Sequence, residues 1–364
     1  MADTTDNHQV AIVGCGVIGR THADTIAARP DATVTALIDS DTAARQTLAT
    51  RLTEAGHPEP KQYDDLTAAL SGSDLTLVAI CTPSGTHAAL AEQALNEKKH
   101  VVIEKPLDVD LTRARRLGAA ATRAANHGVI SSVISQHRFD PGSALVAQAI
   151  RAGRFGRLTS AVATVAWWRS DEYYASAGWR GTWTQDGGGA LMNQGVHTVD
   201  LMLWFMGRPV TIQAQAIRAA HQAIEVEDTV VATLTFESGA VGTLHATTAA
   251  FPGGRTRVSV HGTEGGAEVE DDLLRRFNAD GSTDDLPIES ESPGGHVAQY
   301  EDIFGAIGNS QQPGITVQDA IDALATVRAV YIASTLQRPV KFIDVLEGRY
   351  DDVEVSRGIG LPPN

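Results

Sequence analysis

A short apolar run, Gln9 to Val13, opens directly into Gly14-Cys15-Gly16-Val17-Ile18-Gly19, and this junction constrains the fold more than any other stretch of the chain. A helical pattern follows through Ile26 and Ala27 and stops at Pro30. A second β-branched run, Thr33 to Ile38, then ends in Asp39. Strand, glycine turn, helix, strand and acidic residue in that order describe a dinucleotide-binding unit, with the carboxylate about 20 residues beyond the glycines. Gly14 permits a tight turn, Gly16 lets a pyrophosphate approach the backbone, and Gly19 allows close packing of helix on strand. Val17 and Ile18 carry the turn into the helix, whose N-terminus favours an anion. Asp39 accepts hydrogen bonds from ribose hydroxyls and repels a 2′-phosphate, so NAD is favoured over NADP. Arg45, a helical turn further on, is the one residue that speaks for the phosphorylated form.

The alternation of strand and helix continues. Asp74 to Cys81 reads as a buried strand, Ser84 to Glu97 as a helix and His100 to Ile103 as the next strand. Thr82, Pro83 and His87 then fall at the carboxyl edge of a doubly wound sheet, where ligands bind. Thr82 and Pro83 are expected at the cofactor; His87 is either a cofactor contact or a helix-surface residue. Glu104-Lys105-Pro106 closes the following strand. The residue before proline is pushed to extended geometry, so Lys105 should project from the strand end toward the cofactor, with Glu104 beside it. Lys105-Pro106 is also a candidate cis bond. Leu111 to His127 reads as a helix and Val129 to Ser135 as a strand. Gln136 to Pro141 marks a passage between a nucleotide-binding domain, residues 1–136, and a second domain, residues 137–364.

The second domain opens on the extended run Leu158 to Ala166. Four of the five tryptophans follow between positions 167 and 183, interleaved with Arg169 and Arg180. Aromatic faces beside hydrogen-bonding arginines suit a sugar ring, with its apolar C–H faces and polar edges. Arg169, Tyr173, Trp179 and Arg180 are the candidate substrate residues, while other rings of this cluster pack under a sheet. Gly187-Gly188-Gly189 then feeds an apolar helix carrying Asn193 and His197, four residues apart and so on one face. A histidine on so apolar a helix is commonly a core residue. The three glycines, whose missing Cβ atoms let backbone approach a ligand, favour a functional His197 instead. Beyond it, Val210–Ala216, Asp228–Glu237, Ala240–Ala250 and Arg257–His261 are consecutive strands without intervening helices, which indicates an antiparallel sheet. Its outer face suits an oligomer contact. Ala267 to Ser292 is acidic and expected to be exposed turns; helices Val297–Ile307 and Thr316–Leu336 finish the fold.

A formal net charge of −15 speaks against nucleic acid or an anionic membrane as partner. Met1 to Gln9 lacks the basic and apolar regions of a secretory signal, and no apolar run reaches the length of a membrane span. Two cysteines, Cys15 and Cys81, each end a buried strand. They are expected as reduced thiols in the cytoplasm, with no disulfide and no metal site.

Gly14-Cys15-Gly16-Val17-Ile18-Gly19, Cys81-Thr82-Pro83, Glu104-Lys105-Pro106 and the stretch from Gly187 to His197 occur in one order that resembles the glucose–fructose oxidoreductase, inositol dehydrogenase and rhizopine catabolism (Gfo/Idh/MocA) family. The likeness runs from Gln9 to about Val340. It implies an α/β protein: an N-terminal Rossmann domain joined to a C-terminal α/β domain with a large, mostly antiparallel open sheet, assembled as a homodimer or homotetramer. It implies NAD(P)-dependent oxidation or reduction of a sugar, polyol or sugar derivative, with Lys105 as the family's lysine and His197 as its acid/base. Asn193 stands where many members have aspartate; an amide cannot take up a proton, so it orients a hydroxyl or the imidazole. An NAD-dependent glycoside-cleaving enzyme that works by transient oxidation, and a non-catalytic NAD-bound sensor, are the alternative readings.

Overall fold

The computed structural model describes residues 7–282 and 295–355. In chain order the strands are β1 (His8–Val13), β2 (Ala32–Ile38), β3 (Lys61–Tyr63), β4 (Leu77–Ile80), β5 (His100–Ile103), β6 (Ser131–Val133), β7 (Leu158–Ala166), β8 (Pro209–Ile217), β9 (Thr229–Phe236), β10 (Val241–Thr247), β11 (Thr256–Gly262), β12 (Gly266–Glu270), β13 (Leu273–Asn278) and β14 (Val340–Lys341). The helices are α1 (Val17–Ala27), α2 (Thr42–Glu54), α3 (Leu66–Gly72), α4 (His87–Asn96), α5 (Leu111–Ala125), α6 (Pro141–Arg151), α7 (Asp171–Ala175), α8 (Val196–Met206), α9 (His296–Asn309), α10 (Val317–Leu336) and α11 (Phe342–Leu346). No helix among the described residues is long and apolar enough to cross a membrane.

The chain forms two compact units. The first comprises residues 1–108, 113–134 and 296–318. Its six strands are all parallel, in the order β3-β2-β1-β4-β5-β6, the doubly wound dinucleotide-binding arrangement. Strands buried on both faces need continuous apolar runs, and Leu77, Val78, Ala79 and Ile80 have none of their surface exposed. Helix α9 belongs here, although a single cut near residue 136 assigns it to the second domain. Its apolar stripe explains why: Tyr300, Ile303 and Phe304 join Val10, Ile12, Ala23 and Ile26 in one core. Burying each such side chain stabilises by about 1.5–3 kcal/mol.

The second unit comprises residues 109–112, 135–295 and 319–364. It holds an eight-stranded sheet ordered β13-β12-β11-β7-β10-β9-β8-β14. Only β7 and β10 run parallel; every other neighbouring pair is antiparallel. The burial of β9 alternates strictly, with Val230, Ala232, Leu234 and Phe236 inward and Val231, Thr233 and Thr235 outward, as for a sheet covered on one face. The acidic stretch after Gly266 is not simply exposed turn. Asp271 and Asp272, both at positive φ, make a two-residue hairpin connection between β12 and β13, whose Ala267, Val269, Leu274 and Phe277 are buried. The end of the acidic stretch, residues 283–292, lies outside the described residues.

Candidate active site

In the first unit the chemistry gathers at the carboxyl ends of β1, β4 and β5, which are hydrogen-bonded neighbours in register at Val13, Ile80 and Ile103. Gly14 has φ +95°, and a Cβ there would lie 2.6 Å from the Cys81 carbonyl oxygen; a Cβ on Gly19 would lie 1.9 Å from the Gly14 oxygen. Gly16 differs from both. Nothing lies within 4 Å of where its Cβ would be, at the N-cap of α1, where no side chain caps the helix. That open backbone beside a helix N-terminus fits the pyrophosphate of a dinucleotide.

Asp39 is tied into the same loop: Oδ2 accepts the Cys15 N–H at 2.8 Å and Oδ1 accepts the Asp41 N–H at 2.9 Å. Arg45 is buried and turned inward, donating to the Asp39 carbonyl, reaching Thr42 Oγ1 at 3.0 Å and pairing with Asp64 at 2.7 Å. It is thus committed to the protein rather than to a 2′-phosphate, in keeping with NAD. Burial, with the Asp39 charge beside it, pushes the Cys15 thiol up to about 12, and burial likewise raises the Cys81 thiol well above its ordinary value. Both thiols are free and protonated at neutral pH.

Thr82 is half-buried and Pro83 exposed. His87 is only 1% exposed, with Nε2 at 2.7 Å from the Thr82 carbonyl and Nδ1 at 2.8 Å from the Pro106 carbonyl. Its place is beneath the loop, bracing Thr82 and Pro106, and not at a helix surface. Glu104 also turns inward. It is buried; Oε2 accepts the Lys105 N–H at 3.0 Å, and Oε1 faces His22 Nε2 at 2.9 Å and His296 Nε2 at 3.4 Å. Burial by itself would raise its pKa, but the two histidines hold the carboxyl well below its ordinary value. His22 in turn meets the Tyr300 hydroxyl at 2.7 Å. Glu104 is therefore an anionic anchor for the backbone of Lys105. Lys105 itself is half-buried at the end of β5, ahead of a cis bond to Pro106.

In the second unit, Asn193 and His197 do not share one regular helix. Residues Ala190–Gln194 form a single π turn, closed by Gly195 N–H to the Ala190 carbonyl at 2.8 Å, and α8 starts only at Val196. Buried Glu227 imposes this: its carboxylate accepts the N–H groups of Gly189 at 2.7 Å and Leu191 at 2.9 Å, and the Tyr331 hydroxyl at 2.9 Å. Burial pushes Glu227 up to about 7 despite these donors. The triple glycine serves the same packing. Added Cβ atoms would strike Val109 from Gly187, the Tyr331 hydroxyl from Gly188 and the Glu227 carbonyl from Gly189. These glycines admit protein, where the sequence suggested a ligand.

Asn193 donates from Nδ2 to Asp186 Oδ1 at 2.7 Å, and Asp186 Oδ2 accepts the Gly181 N–H at 2.8 Å. Only the NH2 of an amide can face a carboxylate, so Asn193 turns its oxygen away as an acceptor. Asp186 went unnoticed in the sequence, where its one signal is its position before Gly187. His197 is half-buried; its ring stands edge-on to His137, centroids 4.9 Å apart. Burial opposes charge on His137, yet Asp140 and Asp272, each 2.9 Å from Nδ1, push its pKa up to about 9. His137 is thus an imidazolium at neutral pH. His137 and His197 line a cavity of about 130 Å³ with Trp167 and Gln194. A cavity of about 840 Å³ in the first unit lies at the amino ends of the strands, lined by His8, Lys61 and His100, away from the glycine loop. Imidazoles and carboxylates converge at His22, Glu104 and His296 and at His137, Asp140 and Asp272; hydrogen bonds account for both groups.

The aromatic cluster divides. Trp168 packs against His221 and Phe251, and Trp183 sits edge-on to Tyr331 with its Nε1 on the Glu225 carbonyl. Trp167 and Trp179 carry the two arginines on their faces, 4.7 Å from the Arg169 and 4.5 Å from the Arg180 guanidinium carbon.

Residues 8–133 match the family model described as oxidoreductase family, NAD-binding Rossmann fold, and residues 144–268 match the GFO/IDH/MocA C-terminal domain. The chain is 28% identical over 264 residues to inositol 2-dehydrogenase of Rhizobium meliloti, covering 71% of this chain and 74% of that protein. It is 27% identical over 359 residues to D-apiose dehydrogenase of Paraburkholderia graminis, covering 93% and 90%. Among solved structures, the WlbA dehydrogenase of Bordetella pertussis, in complex with NADH and UDP-GlcNAcA, superposes with a TM-score of 0.81 at 28% identity, covering 92% of this chain and 98% of that one.

Proposed function

This chain belongs to the GFO/IDH/MocA oxidoreductase family, and from that membership we propose that it oxidises a secondary hydroxyl of a sugar, polyol or glycoside with NAD. The observation that carries the reading is the presence, in one chain, of a nucleotide loop open only at Gly16 and a second unit in which His197 borders a cavity beside stacked aromatic and guanidinium groups. Relatives named for inositol and apiose support a polyhydroxylated substrate.

NAD supplies the hydride acceptor when bound; the protein's part is geometry and electrostatics. Lys105 stabilises the negative charge that develops on the reacting oxygen, its backbone held by Glu104. A ring nitrogen of His197 takes the hydroxyl proton, a task suited to a group whose unperturbed pKa is about 6.5. Asn193, held by Asp186, orients the hydroxyl without exchanging a proton. Thr82 and Pro83 complete the cofactor side, and Arg169, Tyr173, Trp179 and Arg180 the substrate side. The protein acts in the cytoplasm as a homodimer or homotetramer. Support for assembly is the outer face of the large sheet, where Val210, Val231 and Val241 are exposed.

Replacing Lys105 with Ala should lower kcat about 100- to 1000-fold while NAD affinity stays within about threefold. Kinetics alongside NADH binding decide it; equal loss in both would make Lys105 a cofactor anchor. NADH should accumulate in step with substrate consumed, whereas glycoside cleavage by transient oxidation would recycle it.

A further inference from the structure

The Tyr173 hydroxyl oxygen accepts two hydrogen bonds, from Arg180 Nη1 at 2.7 Å and from Gln194 Nε2 at 3.0 Å. A phenol oxygen has two lone pairs and one hydrogen, so with both lone pairs engaged the hydrogen points elsewhere, as a donor. No acceptor meets it among the described residues. Arg169 and Arg180 share this ring, their guanidinium carbons 5.0 and 4.5 Å from its centroid. Neither forms an ion pair with a described carboxylate, and the Nε of each is buried without a partner. Arg138, by contrast, is bound to Asp200 at 2.6 Å and Asp319 at 3.0 Å. Asp171 and Glu172, close in sequence, are exposed, and Glu172 is bonded to Ser170.

A half-buried cation without a counter-ion is costly, and in a chain of net charge −15 carboxylates are plentiful. Two such cations held flat on aromatic faces, with a phenol O–H beside them, form a donor-rich centre that lacks its acceptor. Gln194 adds a polarity of the other kind: it is 8% exposed, its Oε1 is buried and unpartnered, and it lines the cavity that contains His197.

We propose that the substrate carries an anionic group, a carboxylate or phosphate, which Arg169, Arg180 and the Tyr173 hydroxyl bind while Gln194 accepts from a hydroxyl of the same molecule. This rests on the reading of that face as the substrate site. A planar guanidinium fork matches either anion, and its charge-assisted bonds are about twice as strong as neutral ones. The substrate class is accordingly an acidic sugar or a sugar phosphate rather than a neutral polyol.

The test is calorimetric titration of the NADH-bound protein with matched pairs: D-glucose against D-glucuronate, D-galactose against D-galacturonate, and D-glucose against D-glucose 6-phosphate. At least one acidic member should bind about tenfold or more tightly than its neutral partner. Arg169→Gln and Arg180→Gln should each remove most of that difference, and Arg180→Lys should keep part of it. In the unsubstituted protein, added salt should weaken binding of the acid and leave the neutral partner unchanged, a readout independent of how the variants fold. Preference for uronates identifies a carboxylate site, preference for the phosphate a phosphate site. Equal binding within every pair, or a preference that survives both glutamine substitutions, overturns the proposal. NADH formed from neutral sugars with no gain from acids sinks the anion site alone. Arginine-dependent binding of an acid with no NADH from any sugar sinks the dehydrogenase reading alone.

Discussion

Two glycine-rich turns precede two helices in this chain, and they are glycine-rich for different reasons. In the first, Gly14 and Gly19 are filled by neighbouring backbone while Gly16 faces open space at the start of α1. In the second, Gly187, Gly188 and Gly189 all abut protein, and the N–H groups of Gly189 and Leu191 are spent on Glu227. The first turn withholds a side chain so that something else can approach; the second does so to let a strand connection and a tyrosine close over a buried carboxylate. Glycine in a sequence reports missing bulk, and only the surroundings say for whom the space is kept.

That contrast is open to direct attack. Gly189→Ala puts a methyl 1.7 Å from the Glu227 carbonyl oxygen, a backbone atom with no rotamer to yield. It should cost about 3 kcal/mol or more in urea unfolding; an unchanged midpoint would refute the packing role. Glu227→Gln should cost about 1–3 kcal/mol, since one amide hydrogen must face a backbone N–H. Its pH signature sharpens the case. Because burial raises the Glu227 pKa from 4.5 to about 7, the fold holds that proton more tightly than the open chain does. The stability so gained is complete below 4.5 and is lost as pH rises through about 7. Between pH 5 and pH 8 the natural protein should lose more stability than the glutamine variant; parallel curves would contradict this. Gly16→Ala should change stability least, within about 0.5 kcal/mol, because φ is −72° and no atom is within 4 Å. NADH fluorescence titration should show affinity reduced about tenfold, the cost of bulk where the pyrophosphate approaches; full affinity would take the cofactor away from this opening.

The nucleotide half was legible because its signals are local: β1, the glycine turn, α1, β2 and Asp39 lie within one short stretch, and each constrains the next. Sequence position also brought His87 and Glu104 to the correct strand edge. It could not tell which way they turn, because their partners, Pro106 for one and His22 and His296 for the other, are set by tertiary packing. The π turn that separates Asn193 from α8 was illegible for the same reason, since it answers to Glu227, far along the chain. The tryptophans were legible as a group and not as individuals: Trp167 and Trp179 carry arginines while Trp168 and Trp183 fill space. The β12–β13 hairpin hid behind its acidic composition, although Asp271-Asp272 between alternating runs is a turn signal.

Helix α9 sets a schedule for biosynthesis. Tyr300, Ile303 and Phe304 are the last pieces of a core whose other walls are laid down before residue 136. A growing polypeptide must therefore be extended past Phe304 before its nucleotide-binding half can shut. Until then the flank of α1 stays greasy and wet, a surface on which a chaperone would find purchase.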